Sequence, residues 1–421
     1  HNNPEYTARK LEEINASTLN ERGLRGRFWE TYLRPPIDRF QEKLQRLSAI
    51  EKSYFYAVYN FLTKELYTSK SGDVDYEGRT GAASLWLSTL AEKCEAGEII
   101  YNLRIRENHA ADEHKAYLLL VRSDFEEKEL PETVADNDIQ NVLPNFRQGD
   151  AIILYERNCG TDNVTNKMVF KGNIEHLTDH EISIRLRATQ QNPSVLPADS
   201  LYAIEHDTMD TTFRSMYQGL YAYLSATQER RDLLLAQRPP KFDESLDSLV
   251  SQAKDFTRVA LKAQAAQDYF LLIGPPGTGK TSCALKKMVE TFHADKGAQI
   301  LLLSYTNRAV DEICKSLASI RPAVDFIRVG SELSCDETYR THLIENELAS
   351  CNRRSEVYER IRSCRIIVGT VAAISGKPEL FRLKHFNVAI IDEATQILEP
   401  QLLGILCARG EEGGNAIDKF I

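Results

Sequence analysis

A chain of 421 residues is too long for one ordinary domain, and 42% hydrophobic with 27% charged residues describes a globular protein with a sizeable core. No apolar stretch approaches the roughly 18 residues of a membrane span, and the polar opening HNNPEYTARK is not a signal peptide, so no membrane role is expected. The net charge is −9, with the excess acid almost wholly before residue 240; bulk charge does not advertise nucleic-acid binding, although a local groove for single strands needs no basic average. Eight cysteines, at 94, 159, 283, 314, 335, 351, 364 and 407, form no CxxC pair and sit near no His at metal spacing. That excludes a zinc or iron–sulfur site and fits buried thiols in a reducing cytoplasm. The chain opens without Met and closes on the apolar pair Phe420–Ile421, as a fragment of a longer protein would.

In chain order, residues 1–97 read as a helical arm or linker. The run Phe40 to Leu66 has apolar residues recurring at three and four, 69–81 is a Gly/Ser/Asp-rich loop, and 83–96 is a second amphipathic helix. From 98 to 210 the texture becomes short strands: EIIYNLRIRE, KAYLLLVRS, DAIILYERN, KMVFKGNIEHL, EISIRLRA and LYAIEHD, rich in β-branched and aromatic residues. This spacing predicts a small β-barrel of the OB or SH3-like kind, with Gly149–Asp150 and Gly172 as turn or bulge points. Helical periodicity returns over 211–262 as a stalk, interrupted by RPPKFD. Over 263–421 the near-continuous apolar runs YFLLIG, AQILLLSY, DFIRVG, RIIVGT and NVAIIDEA alternate with helical stretches. That alternation means an α/β domain whose parallel sheet is covered on both faces.

Within that last region GPPGTGKT fits the P-loop pattern, between the apolar strand FLLI and the helical TSCALKKMV. Gly274, Gly277 and Gly279 let the backbone wrap closely, so successive N–H groups can face phosphate oxygens. Pro275, Pro276, Thr278 and Ser282 complete the nucleotide-binding run from 274 to 282. Lys280 sets a positive charge against the β/γ-phosphates, and Thr281 offers a hydroxyl to Mg²⁺ at a helix start. The alternative is a Gly-rich turn with a chance lysine. VAIIDEATQ supplies the acidic partner: Asp392 stands at the carboxyl end of a buried strand, placed to hold Mg²⁺, and Glu393 is placed to polarise an attacking water. Two adjacent carboxylates could instead cap the next helix. LSYTNRAVDEI places Thr306 and Asn307 at a strand end before a helix, and VGTVAA places Thr370 likewise. Hydroxyl, amide and backbone donors there suit strand phosphates, but each could equally be an N-cap or a turn.

GPPGTGKT, YTNRAVDEI, VGTVAA and IIDEATQILEP, in this order, resemble the first motor domain of a superfamily 1 helicase. The DEAxQ form from Asp392 to Gln396 is similar to the branch that holds the nonsense-mediated-decay RNA helicase and the lagging-strand nuclease-helicase. The resemblance implies a RecA-like domain, ATP with Mg²⁺, and a single-stranded nucleic-acid partner, DNA favoured over RNA, travelled 5′ to 3′. It also implies that Gln396 senses the γ-phosphate or relays to a second motor domain, and that Thr306, Asn307 and Thr370 touch the strand backbone. Residues from about 144 onward match the β-barrel and stalk that this branch sets before or within the motor. Residues 1–97 sit where the nuclease-helicases place a linker to a nuclease, so a nuclease domain is expected N-terminal and a second motor domain C-terminal.

Two departures matter. The family usually has a Gln upstream of the P-loop to read adenine, and Gln252, Gln264 and Gln267 all miss the expected distance. The second motor domain, which supplies arginines to the nucleotide cleft, has no counterpart in these residues, so turnover by this segment alone is expected to be feeble. Beside the ATP hydrolase of helicase type stand a P-loop switch that remodels a protein complex without translocating and a non-enzymatic binding module. The intact Lys280, Thr281, Asp392 and Glu393 weigh against the module. A GTPase lacks its Asn-Lys-x-Asp segment.

Overall fold

The computed structural model describes residues 4–71, 86, 88–113, 115–123, 144–207, 211–275 and 277–421. Two compact units divide the chain: Glu65–Asp210, and His1–Lys64 together with Thr211–Ile421.

In the first unit, strands β1 (Ile99–His109), β2 (Tyr117–Arg122), β3 (Ala151–Glu156), β4 (Val169–Leu177), β5 (Glu181–Leu186) and β6 (Tyr202–His206) close into an antiparallel barrel of order β1-β2-β5-β4-β3-β6. Period-two alternation drives it: Leu118 and Leu120 of β2 and Ile182 and Ile184 of β5 turn inward, meeting Leu103, Ile174 and Ile204. The six strand runs of the sequence are thus all present. Gly149 takes φ +94° in its turn, as expected. Gly172 is neither turn nor bulge; it pairs in register with Ile152 and Leu186. Glycine stands there because neighbours are close: a β-carbon would lie 2.6 Å from Ile184 Cγ2 and 2.8 Å from the Arg185 carbonyl oxygen. The β4–β5 irregularity comes later, between Ile174 and His176. The helix read over 83–96 is shorter, Leu90–Glu95, because Thr89 and Glu92 form a capping box that fixes its start. Part of the expected 83–96 helix, and the loop read over 69–81 from residue 72 onward, lie outside the described residues. Lys93 is buried with its ammonium 2.8 Å from Glu205, whose carboxylate also accepts from the Tyr155 hydroxyl at 2.6 Å.

In the second unit, helices α1 (Pro4–Glu13), α2 (Arg34–Gln45), α3 (Ala49–Ser71) and α4 (Thr211–Ser225) precede α5 (Asp255–Ala265), α6 (Lys286–His293), α7 (Asn307–Ala318) and α8 (Glu399–Leu406). The periodic run Phe40 to Leu66 is not one helix but two. Ser48 restarts it, its amide donating to Glu51 Oε2 at 2.7 Å while its hydroxyl accepts from the Glu51 amide at 3.4 Å. Leu44, Phe55, Leu62, Leu220, Tyr223 and Leu403 share one core, so these arm and stalk helices pack on α8. Gly219 of α4 meets Gly404 of α8 so closely that a β-carbon on Gly219 would lie 2.8 Å from the Gly404 nitrogen.

The sheet of this unit has order β11-β10-β7-β9-β8, from β7 (Ile300–Ser304), β8 (Phe326–Val329), β9 (Ile366–Thr370), β10 (Phe386–Ile391) and β11 (Ile417–Phe420), every pairing parallel. Each residue of β7, β8 and β9 is buried. Alternate side chains feed two cores: Ile300, Leu302 and Val368 on one face, Leu301, Leu303 and Ile367 on the other. This is the barrel followed by a RecA-like α/β sheet that the sequence predicts. The run YFLLIG departs from expectation. Only Tyr269 bridges to Phe420, with the Phe270 amide donating to the Phe420 carbonyl at 2.9 Å. Leu271 and Ile273 stand 74% and 91% exposed, while Phe270 and Leu272 pack against the core on one face of the sheet. Five of the eight cysteines are buried, but Cys159 and Cys283 are exposed and Cys351 is half-buried, so the expectation of core thiols holds only in part.

Candidate active site

The loop at 274–281 is shaped by its glycines. Gly277 and Gly279 take φ +80° and +82°, which a β-carbon would oppose. Gly274 leaves room for the returning Lys280 chain, since a β-carbon there would come within 2.8 Å of Lys280 Cγ. The Lys280 ammonium donates to the Gly274 carbonyl at 2.7 Å, which leaves two of its three N–H groups for a ligand. Thr278 closes the turn by donating from its hydroxyl to the Pro275 carbonyl at 2.7 Å. Pro276 lies outside the described residues. The expected helix does follow, but its first turn, Lys280–Leu285, is π-helical: the Ala284 amide reaches back to the Gly279 carbonyl at 2.9 Å before α6 begins. Such a widened turn is rare and tends to mark a functional position. Ser282 is exposed on it.

Asp392 directly follows β10, and its amide donates to the Leu303 carbonyl at 2.8 Å. The Thr281 hydroxyl donates to Asp392 Oδ2 at 2.6 Å, while Oδ1 accepts from the Glu393 amide at 3.1 Å. Loop and acid therefore meet at one edge of the sheet. A hydroxyl and a carboxylate side by side form the hard-oxygen set that Mg²⁺ prefers, so these residues fit that ion. Glu393 is half-buried and holds φ 56°, ψ 35°, a left-handed conformation rare outside glycine that tends to be retained where a side chain must be aimed. Gln396 turns back on it, Nε2 donating to Glu393 Oε2 at 3.4 Å. The two carboxylates do not cap a helix of their own; a short 3₁₀ turn, Ala394–Gln396, intervenes before α8.

Thr306 and Thr370 cap helices. The Thr306 hydroxyl accepts from the Ala309 amide at 3.2 Å, and the Thr370 hydroxyl from the Ala373 amide at 3.1 Å. Each retains a proton to donate. Thr306 is exposed, Asn307 half-buried, and Thr370 only 8% exposed. Sequence reasoning passed over Arg328, fully buried on β8, whose guanidinium lies 2.9 Å from Asp311 of α7. Burial pushes the Asp311 carboxyl up, against the pull of Arg328. A β-carbon on Gly330 would be about equidistant from Arg328 Nη1, 3.9 Å, and Asn307 Oδ1, 4.0 Å, so this charge stands close to the Thr306–Asn307 turn. The signal was an arginine inside an otherwise apolar strand.

Residues 250–356 match the family model described as AAA domain (AAA_11). The DNA replication ATP-dependent helicase/nuclease DNA2 of Gallus gallus is 26% identical over 399 residues, covering 89% of this chain and 36% of the relative. The protein of that name from Bos taurus is 28% identical, over 87% of this chain and 33% of its own length. The chain is thus similar to helicase/nucleases, in line with the superfamily 1 resemblance of its motifs. The Homo sapiens DNA2 is 30% identical over 51% of this chain and 22% of its own. The chain spans about a third of the length of the first relatives it matches. Coverage of 89% also carries the likeness upstream of residue 144, beyond where the motifs alone placed it. A solved Hef helicase domain from Pyrococcus furiosus, at 10% identity and a TM-score of 0.22 over 50% of this chain and 38% of its own, is too slight a likeness to argue from.

Proposed function

We propose that these residues form the first motor half of an ATP-dependent helicase or translocase that moves 5′ to 3′ along single-stranded DNA. The observation that carries it is the 2.6 Å hydrogen bond between Thr281 and Asp392, which brings the P-loop and the acid to one sheet edge beside Lys280. Lys280 and the backbone N–H groups of 277–282 hold the phosphates of ATP. Thr281 and Asp392 hold Mg²⁺, which when bound neutralises charge on the β- and γ-phosphates. Glu393, aimed by its left-handed backbone, accepts a proton from the attacking water, and Gln396 keeps its carboxylate oriented. Thr306, Asn307 and Thr370, at the carboxyl ends of β7 and β9, contact the backbone of the strand. DNA is favoured because the relatives are named for DNA replication, and their names as helicase/nucleases support a nuclease domain elsewhere in the whole protein. A second motor domain completes the nucleotide cleft.

The test is ATP hydrolysis by the full-length protein with no nucleic acid, with single-stranded DNA and with single-stranded RNA. Single-stranded DNA should stimulate hydrolysis many-fold. Indifference to both polymers removes the translocase reading and leaves the protein-remodelling switch.

A further inference from the structure

An aromatic ring stands against the phosphate loop with no partner assigned to it. Phe256, the second residue of α5, is 37% exposed, and a methyl built on Gly279 would lie 3.5 Å from its Cζ and 3.3 Å from Cys283 Sγ. Ring and thiol therefore both stand beside Gly279 of the loop. The residue before it, Asp255, holds φ +50°, after Lys254 in extended conformation. The turn that delivers the ring to the loop is thus kept in a conformation non-glycine residues seldom adopt.

Resting on the nucleotide site proposed above, we infer that Phe256 is the stacking surface for the nucleobase and that the site accepts purine and pyrimidine triphosphates alike. A nucleotide whose terminal phosphate lies at Lys280 and Asp392 must leave the loop on another side, and the Phe256–Cys283 face offers its base an apolar platform. A phenyl ring has neither donor nor acceptor, and every base has a π-face, so stacking alone holds bases without reading their edges. Strong discrimination between adenine and guanine requires a polar group that one base satisfies and the other leaves unpaired. The glutamines nearby are placed elsewhere: Gln264 lies eight residues along α5, about 12 Å up its axis, Gln267 lies beyond that helix, and Gln252 closes the short helix Asp247–Gln252.

The experiment measures equilibrium binding of ATP, GTP, CTP, UTP and inorganic tripolyphosphate, each with Mg²⁺, to the full-length protein. The four nucleotides are expected within about fivefold of one another, with tripolyphosphate weaker on the order of tenfold, the scale of one base–aromatic stack. Phe256→Ala should weaken all four nucleotides by a similar factor and leave tripolyphosphate unchanged, and Phe256→Trp should restore them. Unchanged tripolyphosphate binding also shows that the variant is folded. A preference for ATP over GTP of twentyfold or more overturns the inference, as does Phe256→Ala binding nucleotides like the parent. A preference that Gln252→Ala abolishes would put base reading on Gln252 instead and overturns it too. Tripolyphosphate binding that is absent, or indifferent to Lys280→Ala, sinks the nucleotide site itself and this inference with it.

Discussion

Thr281 and Asp392 are 111 residues apart in the chain and share a hydrogen bond of 2.6 Å. The contact pairs the first residues of a helix with the end of a strand, so the two halves of the proposed metal-and-phosphate site are held by the sheet itself. Asp392→Asn keeps the shape but removes the charge. ATP hydrolysis by the full-length protein is expected to fall at least on the order of a hundredfold, and raising Mg²⁺ should not restore it. Activity within threefold of the parent would show that this acid holds no metal.

The proposed role of Glu393 as proton acceptor separates chemistry from binding. Glu393→Gln is expected to lower kcat by about two to four orders of magnitude while the affinity for ATP stays within a few-fold. A loss confined to KM would assign Glu393 to nucleotide grip.

One substitution can part the helix cap that Thr306 makes from the strand contact proposed for it. Asp is as good an N-cap as Thr, but its charge repels phosphate. Thr306→Asp should keep the thermal midpoint and weaken single-stranded DNA binding several-fold. Thr306→Ala should lower stability by about 1 kcal/mol. Unaltered DNA affinity in the Asp variant would leave Thr306 as a cap alone.

Glu51 and Arg231 form a buried pair, Oε1 to Nε 2.6 Å, in the helical core. Burial raises the Glu51 carboxyl, but the Ser48 amide and Arg231 outweigh it and hold the group below its ordinary value. A depressed carboxyl stabilises the fold above its unfolded value of about 4.3, and that contribution is lost as pH falls through the folded one. The stability gap between the parent and Glu51→Gln should therefore be full at neutral pH and close in acid. Arg231→Met, which strands the carboxylate, should cost about 3–5 kcal/mol in urea unfolding. A gap independent of pH would contradict the assignment.

Gly172→Ala puts a methyl 2.6 Å from Ile184 Cγ2 and 2.8 Å from the Arg185 carbonyl oxygen on the neighbouring strand β5. Overpacking of this kind should cost about 1–3 kcal/mol, read as a lower thermal midpoint with the parent's ATPase rate below it. An unchanged midpoint would mean that β4 and β5 can part there freely.

What could be read in the chain was what spacing encodes. Gly274 to Thr281 and Asp392 are short patterns whose geometry is local, and the barrel strands announce themselves by period-two burial. The strand before the loop misled because all of its apolar residues look like core, whereas Phe270 and Leu272 pack inward and Leu271 and Ile273 stand exposed. The break at Ser48 was legible in its capping box, Ser-x-x-Glu, yet masked by apolar periodicity that runs straight through it. Thr370 could be placed at a strand end but not recognised as buried, and the approach of Phe256 to Gly279 is tertiary, with no short signature at all.

Gly219 and Gly404 bring two helix backbones together with nothing compressible between them. α8 begins three residues after Gln396, and the Tyr54 hydroxyl of α3 holds its first residue, Glu399, at 2.6 Å. The turn bearing Asp392 and Glu393 is therefore joined to α4 through α8 by close contacts alone, and a side chain at the Gly219–Gly404 crossing would wedge the two helices apart.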